Sequence, residues 1–565
     1  MKDNYWTKRA RQNMNRRRFL MTSGAAGAGV GALAIVGCGG DDEDGDSGDG
    51  IGGADEGVRG TPTAEAGAAQ KGGRINFAHT ADADHFDPAF ETTWLMNLGP
   101  HLYSKLLRWD GGIENILPDL TTGLPEQVDE TTYTYKLKPD TKFSDGSPLT
   151  SEDVKFTYER IAKAENASPH RYKAGPLASV DTPDEQTITF KLSEPFAPFI
   201  SFSATGWMMI LSKKFVDAAG DRFQDVLGSG PYVISARQKG VSTQFKRNPN
   251  HHNPERPYPD EMDFRVIPDA ATLDAAVIAN ELDFAASGTD KSRIEAMLAA
   301  NKDLTDMEHA SHHWNMFIMN CRDTNLVFKD KRMRQAMNLL IDRELYQAIV
   351  HSTGGRPSGP VTWGFSNYAI PQDDLIQRPG YRPDKDEDIK EAKALMEAAG
   401  FPDGVKLQCA TVTAAAHATY NAGALALKDQ LAQYGVELEL GVTDMAGIQA
   451  KRAEGNFDCM VYVNGGSQEI DEHIYGPHRT GQARNVNGFS NDAIDALLDK
   501  QRITLDDAER KSIIMEVQEL LLDEVPTAWL ADPIYHSLVN KRLIGYQPWL
   551  VFDRSSELYD AWIKA

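Results

Sequence analysis

The chain of 565 residues is longer than one hydrophobic core usually serves, so two or three domains are expected. Its 41% hydrophobic and 25% charged content is ordinary for a globular protein, and its formal charge of -23 argues against nucleic acid and against a polybasic membrane patch, since both need clustered Lys and Arg. Setting aside residues 1–37, with seven basic side chains and one acid, deepens the charge to -29.

In chain order, Asn15-Arg16-Arg17-Arg18-Phe19-Leu20-Met21 resembles a twin-arginine export motif in its two arginines, Phe19 and Leu20, and departs from it at Asn15 and Met21. Residues 21–37 are apolar and rich in Ala and Gly, weaker and shorter than the ~20 residues of a membrane span. They end in Ile35-Val36-Gly37-Cys38, which resembles a lipobox. That resemblance implies a signal peptide over 1–37, with a diacylated Cys38 as the new N-terminus. The plainer alternative is an uncleaved anchor with an incidental cysteine, and either puts the body outside the cytoplasmic membrane. Residues 39–70 hold nine acids and one Arg, so 38–71 reads as an acidic, Gly-rich tether. Asp42-x-Asp44-x-Asp46 lacks the Glu that would complete a calcium loop, since Gly53 stands there.

The body alternates strands with amphipathic helices. Residues 132–137 and 187–192 read as half-buried strands, and Thr150 with Asp153 predicts a variant capping box opening a helix with Val154, Tyr158 and Ile161 on one face. A helix is predicted through Met333, Met337, Leu340, Ile341 and Leu345, and another up to Ala399, stopped by Gly400 and Pro402. Strands at 405–412, 436–442 and 457–463 alternate with helices at 419–434 and 444–454, the pattern of βαβ units. The class is therefore α/β, with antiparallel pairing in the first half. Cys321, Cys409 and Cys459 show no CxxC spacing, and a Cys321–Cys459 pair is the disulfide the oxidising compartment suggests.

Tyr133-Thr134-Tyr135-Lys136-Leu137-Lys138 followed by Lys142-Phe143-Ser144-Asp145-Gly146-Ser147-Pro148-Leu149-Thr150-Ser151-Glu152-Asp153-Val154 resembles a block of the extracellular solute-binding proteins, family 5, whose pattern there is a strand and then "kFhDGxplTAeDV". Asp87-Pro88, Pro118-Asp119-Leu120, Gly228-Ser229-Gly230-Pro231-Tyr232, Arg334-Gln335-Ala336 through Ile341-Asp342-Arg343, and Gly488-Phe489-Ser490-Asn491 with Ile494-Asp495-Ala496-Leu497-Leu498 match in order. The likeness runs from about Gly72 to the end. These motifs also read as scaffold: Asp145-Gly146 is turn chemistry, and Gly228 and Gly230 suit positive φ or close backbone approach. The resemblance implies a periplasmic-binding-protein-like, two-lobed fold with an inserted third domain and mixed sheets. Domain I would comprise 72–110, 225–310 and 531–565, domain II 111–224 and domain III 311–530. It also implies the binding subunit of an ABC importer, a monomer that closes on a peptide or similar small solute and delivers it to permease and ATPase subunits. No cofactor, metal or nucleic acid is implied, and the only membrane contact would be the lipid anchor.

In peptide-binding relatives the ligand lies between lobes as an added strand, and a carboxylate soon after the strand "fDxxxxxW" takes its α-ammonium. The matching strand is Phe457-Asp458-Cys459-Met460-Val461-Tyr462-Val463-Asn464-Gly465, but the expected Asp falls near Gly465 or Gly466 and the Trp near Val463. Asp471 or Glu469 could substitute, or be solvated loop acids. Opposite, Thr92, Thr93 and Trp94 match the segment that pairs with ligand backbone, and His170 holds a position often aromatic. Trp363 stands in a Gly/Pro-rich loop where an aromatic could line a cavity. For Trp94 and Trp363 the bland alternative is packing, and for His170 a surface position. Nucleophile-elbow and HExxH motifs are absent, which disfavours a hydrolase, and His309, His312 and His313 are a weak basis for metal. An exported hydrolase or a metal-complex-binding protein on the same scaffold stays open as the alternative.

Overall fold

Ile75 and Phe77 alternate with more exposed neighbours along Arg74–His79 (β1), the first strand of a sheet that the chain leaves at once and completes much later. The computed structural model describes residues 68–91, 94–110, 115–310, 312–365, 367–465, 468–548 and 557–564, except the side chains of Trp94, Ala286, Ser287 and Asn464. The signal motif, Cys38, most of the tether, Thr92, Thr93 and Gly466 lie outside the described residues.

Glu126–Gln127 (β2), Thr132–Lys136 (β3), Leu177–Asp184 (β4) and Thr187–Leu192 (β5) form an antiparallel sheet in the order β2-β3-β5-β4. Between β3 and β4, Ser151–Ala162 (α1) buries Val154, Tyr158 and Ile161, and Asp153 reaches back to accept from the Thr150 amide at 3.0 Å. The chain then returns to β1. Tyr232–Gln238 (β6), Ser242–Arg247 (β7), Glu261–Val266 (β8), Phe284–Gly288 (β9), Leu304–His309 (β10) and the late strand Tyr535–Asn540 join it in a seven-stranded sheet. β1 runs parallel to β8 and β9, while the other pairs are antiparallel. Helices Ala270–Ile278 (α2) and Lys291–Ala300 (α3) separate β8, β9 and β10.

Past His309 the chain enters a third sheet through His313–Met319 (β11). Val405–Val412 (β12), Val436–Thr443 (β13), Cys459–Gly465 (β14) and Thr527–Trp529 (β15) complete it in the order β13-β12-β14-β11-β15. Helices Lys331–Leu340 (α4), Arg343–Val350 (α5), Asp386–Ala398 (α6), Ala418–Ala432 (α7), Met445–Glu454 (α8), Ile470–His478 (α9), Asp492–Ile503 (α10) and Asp507–Glu524 (α11) cover it. β12 is parallel to β13 and β14, whereas β11 is antiparallel to β14 and β15. Both faces are buried: Phe317 and Met319 enter one core, and Trp314, Met316 and Ile318 the other. From β15 the chain returns to the first sheet as Tyr535–Asn540 (β16).

Three expectations need correction. The helix predicted through Met333 to Leu345 is two, α4 and α5, because Ile341 is extended and Asp342 caps α5 by accepting from the Leu345 amide at 2.8 Å. The strand predicted from 457 begins at Cys459, since Asp458 is drawn to the Gln408 amide at 2.7 Å and the Asn325 amide at 2.9 Å. Cys321 and Cys459 do not pair. Cys459 neighbours Cys409 across β12 and β14, while the chain turns off after Met319 and the Cys321 thiol faces the Met319 and Pro526 carbonyls; all three thiols are free.

Gly228 and Gly230 answer to close approach, with neither in the positive-φ region. A Cβ on Gly230 would lie 2.4 Å from the Leu102 carbonyl carbon and 2.5 Å from the Tyr103 nitrogen. Gly230→Ala should therefore lower stability by about 1–3 kcal/mol, read as a lower urea midpoint with an unchanged m-value. An unchanged midpoint would show that the backbone there yields freely. A second expectation concerns acid. Burial depresses His170 and His478 to about 3, and His251, His309, His313 and His351 to about 4. The unfolded chain takes protons near pH 6.5 that these folded sites refuse, so their contribution is complete above that pH and is lost as pH falls toward 4. Each histidine should remove about 1 kcal/mol per pH unit below 6.5, so the urea midpoint should fall clearly between pH 7.5 and 5.5. A midpoint that holds steady or rises would refute neutral burial.

Candidate functional site

Facing elements of the second and third sheets meet through buried polar contacts between residues about three hundred positions apart. The one-turn helix Arg171–Ala174 carries Lys173, whose side chain is fully buried. Its Nζ lies 2.8 Å from Glu472 Oε2 and 4.7–4.8 Å from the ring centres of Tyr172, Phe202 and Trp207. Tyr172 also donates to Glu472, and Arg484 stands 3.6 Å from the same carboxylate. Burial pulls the Lys173 ammonium below its usual range, and Glu472 opposes that pull. Nearby, Ser201 donates to Glu469 and the Ala197 amide donates to the Arg502 carbonyl at 2.7 Å.

Helix α9 supplies the far side of this contact because Glu469 caps it, accepting from the Asp471 amide at 3.2 Å, which leaves Asp471 and Glu472 in its first turn. Neither Asp471 nor Glu469 is a solvated loop acid. Asp471 is 1% exposed and accepts from Arg502 at 3.0–3.2 Å and from Gln501 at 2.6 Å, and Glu469 pairs with Arg510 at 2.5 Å. Both acids are held by arginines of their own sheet's helices, α10 and α11.

His170 is buried, correcting the surface alternative. Its Nε2 lies 2.7 Å from the Glu91 carbonyl and its ring stacks on Trp207 at 5.1 Å, so it adjoins the segment that continues into Thr92, Thr93 and Trp94. Of that segment only the Trp94 backbone is described, opening the short helix Trp94–Asn97. Burial first, then the Lys173 charge, keeps His170 neutral. At the other edge, Tyr462 is buried beneath the Arg452 guanidinium at 4.0 Å and its hydroxyl accepts from Gln449 at 2.9 Å. The Val463 carbonyl accepts from Tyr420 at 2.9 Å, and Asn464 and Gly465 end β14 opposite Trp314 and His313. Trp363 occupies its own corner, under the Arg356 guanidinium at 3.9 Å, its amide donating to Asp532 at 3.0 Å. Burial pushes the Asp532 carboxyl up to about 7. Phe365, in the same turn as Trp363, packs 4.3 Å from His473, next to Glu472, which connects this corner to α9.

The three sequence-adjacent histidines diverge: His309 meets Ser537, His312 meets Phe365 and His313 meets Tyr535. Among the described residues, the group with metal-ligand spacing is instead Asp306, Glu308 and His536, where His536 Nδ1 is already held by Asp306 at 2.8 Å. Lys173 and Glu472 escaped sequence reasoning because a lone Lys or Glu beside a helix end reads as solvated. Their only signal is the company each keeps in space.

The profile of bacterial extracellular solute-binding proteins, family 5 middle, matches residues 115–483. Among curated proteins, the probable D,D-dipeptide-binding periplasmic protein DdpA of Escherichia coli is 24% identical over 82% of this chain and 90% of its own length. The oligopeptide-binding protein AppA of Bacillus subtilis is 24% identical over 85% and 90%. Among solved structures, the periplasmic binding protein DppA from Helicobacter pylori, in complex with the peptide STSA, superposes with a TM-score of 0.74 at 22% identity, covering 88% of this chain and 99% of that one. The binding protein AgaA from A. tumefacien, in complex with agropinic acid, gives 0.73 at 21%, covering 87% and 99%. The chain belongs to family 5 of the bacterial extracellular solute-binding proteins.

Proposed function

We propose that this protein is the extracytoplasmic receptor of an ABC importer, capturing a peptide or similar small solute between closing lobes and handing it unchanged to a permease and its ATPase. The observation that carries the reading is the polar seam between Tyr172, Lys173 and Ser201 on one side and Glu469 and Glu472 on the other. It joins elements that the chain connects only through distant crossings, as expected of two bodies closed on one another. The lobes would be 72–110 with 225–310 and 531–565, then 111–224, then 311–530, with hinges near 310 and 530. The names of the relatives support a peptide, and the agropinic acid complex of AgaA supports a family tolerant of other small solutes. Candidate contacts are Thr92, Thr93, Trp94, His170, Trp363 and the Tyr462–Gly465 strand end.

Native mass spectrometry of protein purified without denaturation should reveal a small solute of constant mass. Titration with that solute should reduce the radius of gyration in X-ray scattering. Chemical conversion of the solute during incubation would overturn the receptor reading in favour of an exported hydrolase. Anchoring is tested separately. Cys38→Ser should move the exported protein from the membrane to the soluble fraction and abolish labelled-lipid incorporation; full membrane retention would contradict diacylation.

A further inference from the structure

Three acids cluster where α9 begins, shortly after the end of β14, where the family resemblance would place a ligand's ammonium partner. Each is already matched by a cation of the chain itself: Glu469 by Arg510, Asp471 by Arg502, Glu472 by Lys173. The third match differs in kind. A buried ammonium facing three aromatic rings and a carboxylate is the arrangement by which proteins recognise a ligand ammonium, and here a side chain of the protein occupies it. Lys173 is tied in by the neighbouring turn, so the cation arrives with the lobe rather than with the solute.

The same stretch holds an unmatched group of the opposite character. Gln468, 6% exposed, leaves both its Nε2 and its Oε1 without a hydrogen-bond partner, one residue before Glu469. A buried primary amide left so is costly unless a partner supplies both hydrogen bonds. Its donor and acceptor together are complementary to another amide or a lactam, and carry no charge with which to hold an ammonium.

Resting on the receptor reading above, we propose that Lys173 is a resident substitute for the ligand's α-ammonium, and that the cleft selects solutes whose corresponding end is a neutral amide, an N-acylated or cyclised terminus read by Gln468. A second ammonium brought beside Lys173 would meet like charge in a site with little water, which disfavours free N-termini.

Two arms test this. In calorimetric titration of the wild type with matched free and N-acetylated di- to tetrapeptides, the acetylated forms should bind at least as tightly. Gln468→Leu should weaken the acetylated forms by about tenfold while leaving free ones little changed. A loss of about tenfold or more on acetylation in the wild type would overturn the proposal. The second arm needs no peptide. Lys173→Ala should melt at a lower temperature and be restored by n-propylammonium, with no gain from n-propanol and none in the wild type. Absence of that rescue in the folded variant would refute the ammonium site. If Lys173→Ala does not fold, Lys173→Met should be stabilised by adding Glu472→Gln, and failure of that compensation would equally refute the pairing. If neither peptide form binds the wild type, the peptide reading fails, and the rescue arm still decides the role of Lys173.

Discussion

Two antiparallel strand crossings carry every covalent link between the first and third sheets. The chain passes from β10 to β11 through His309–His313 and back from β15 to β16 through 530–534. The middle of the 530–534 return segment belongs to neither sheet. Ala531–Pro533 pairs with Gly355–Pro357. Asp532 is buried beside Trp363, and the Tyr535 ring stacks on His309 and meets His313 at a tilt at the junction. Under the proposed function such a connection would transmit rotation about the crossing while the ladders on either side stay paired.

The contact between the second and third sheets is made by side chains together with the Ala197–Arg502 backbone hydrogen bond, and its chemistry is polar. A buried ion pair such as Lys173–Glu472 gains Coulomb energy at the expense of two hydration shells, and the balance often lies near zero. The aromatic rings around Nζ and the Tyr172 hydroxyl tip it toward the closed arrangement only modestly. An apolar seam would hold the two bodies together more firmly. Under the proposed function, a polar one would let a bound solute decide, since its differential contacts need supply only a few kcal/mol.

Scaffold was legible where a local rule fixes a local conformation. The capping box of Thr150 and Asp153, the Gly400 stop and the alternating elements from 405 to 465 fall within a residue or two of expectation. The errors have local causes too. The apolar period through Met337, Leu340, Ile341 and Leu345 spans two helices because it is blind to Asp342, which caps the second more favourably than it continues the first. Cys321 lies two residues beyond the pairing of Met319 with Cys459, a displacement that spacing along the chain does not encode.

The site was legible only in part, and the reason is physical. The residues that carried the family resemblance are occupied with building lobes. Asp145 closes its turn on Ser147 at 2.9 Å, Gly230 lets two backbones touch, and Arg334 gathers the Glu524 and Phe328 carbonyls. Those constraints are satisfied within one element and its neighbour, so they leave a pattern in sequence. Lys173 and Glu472 answer to partners on another sheet, and impose no period, turn or cap on their own surroundings. A resemblance built on scaffold positions therefore carries the fold faithfully and says little about charge in the cleft. The sequence carries no aspartate at Gly465 or Gly466, and Lys173 stands against Glu472 across the second and third sheets.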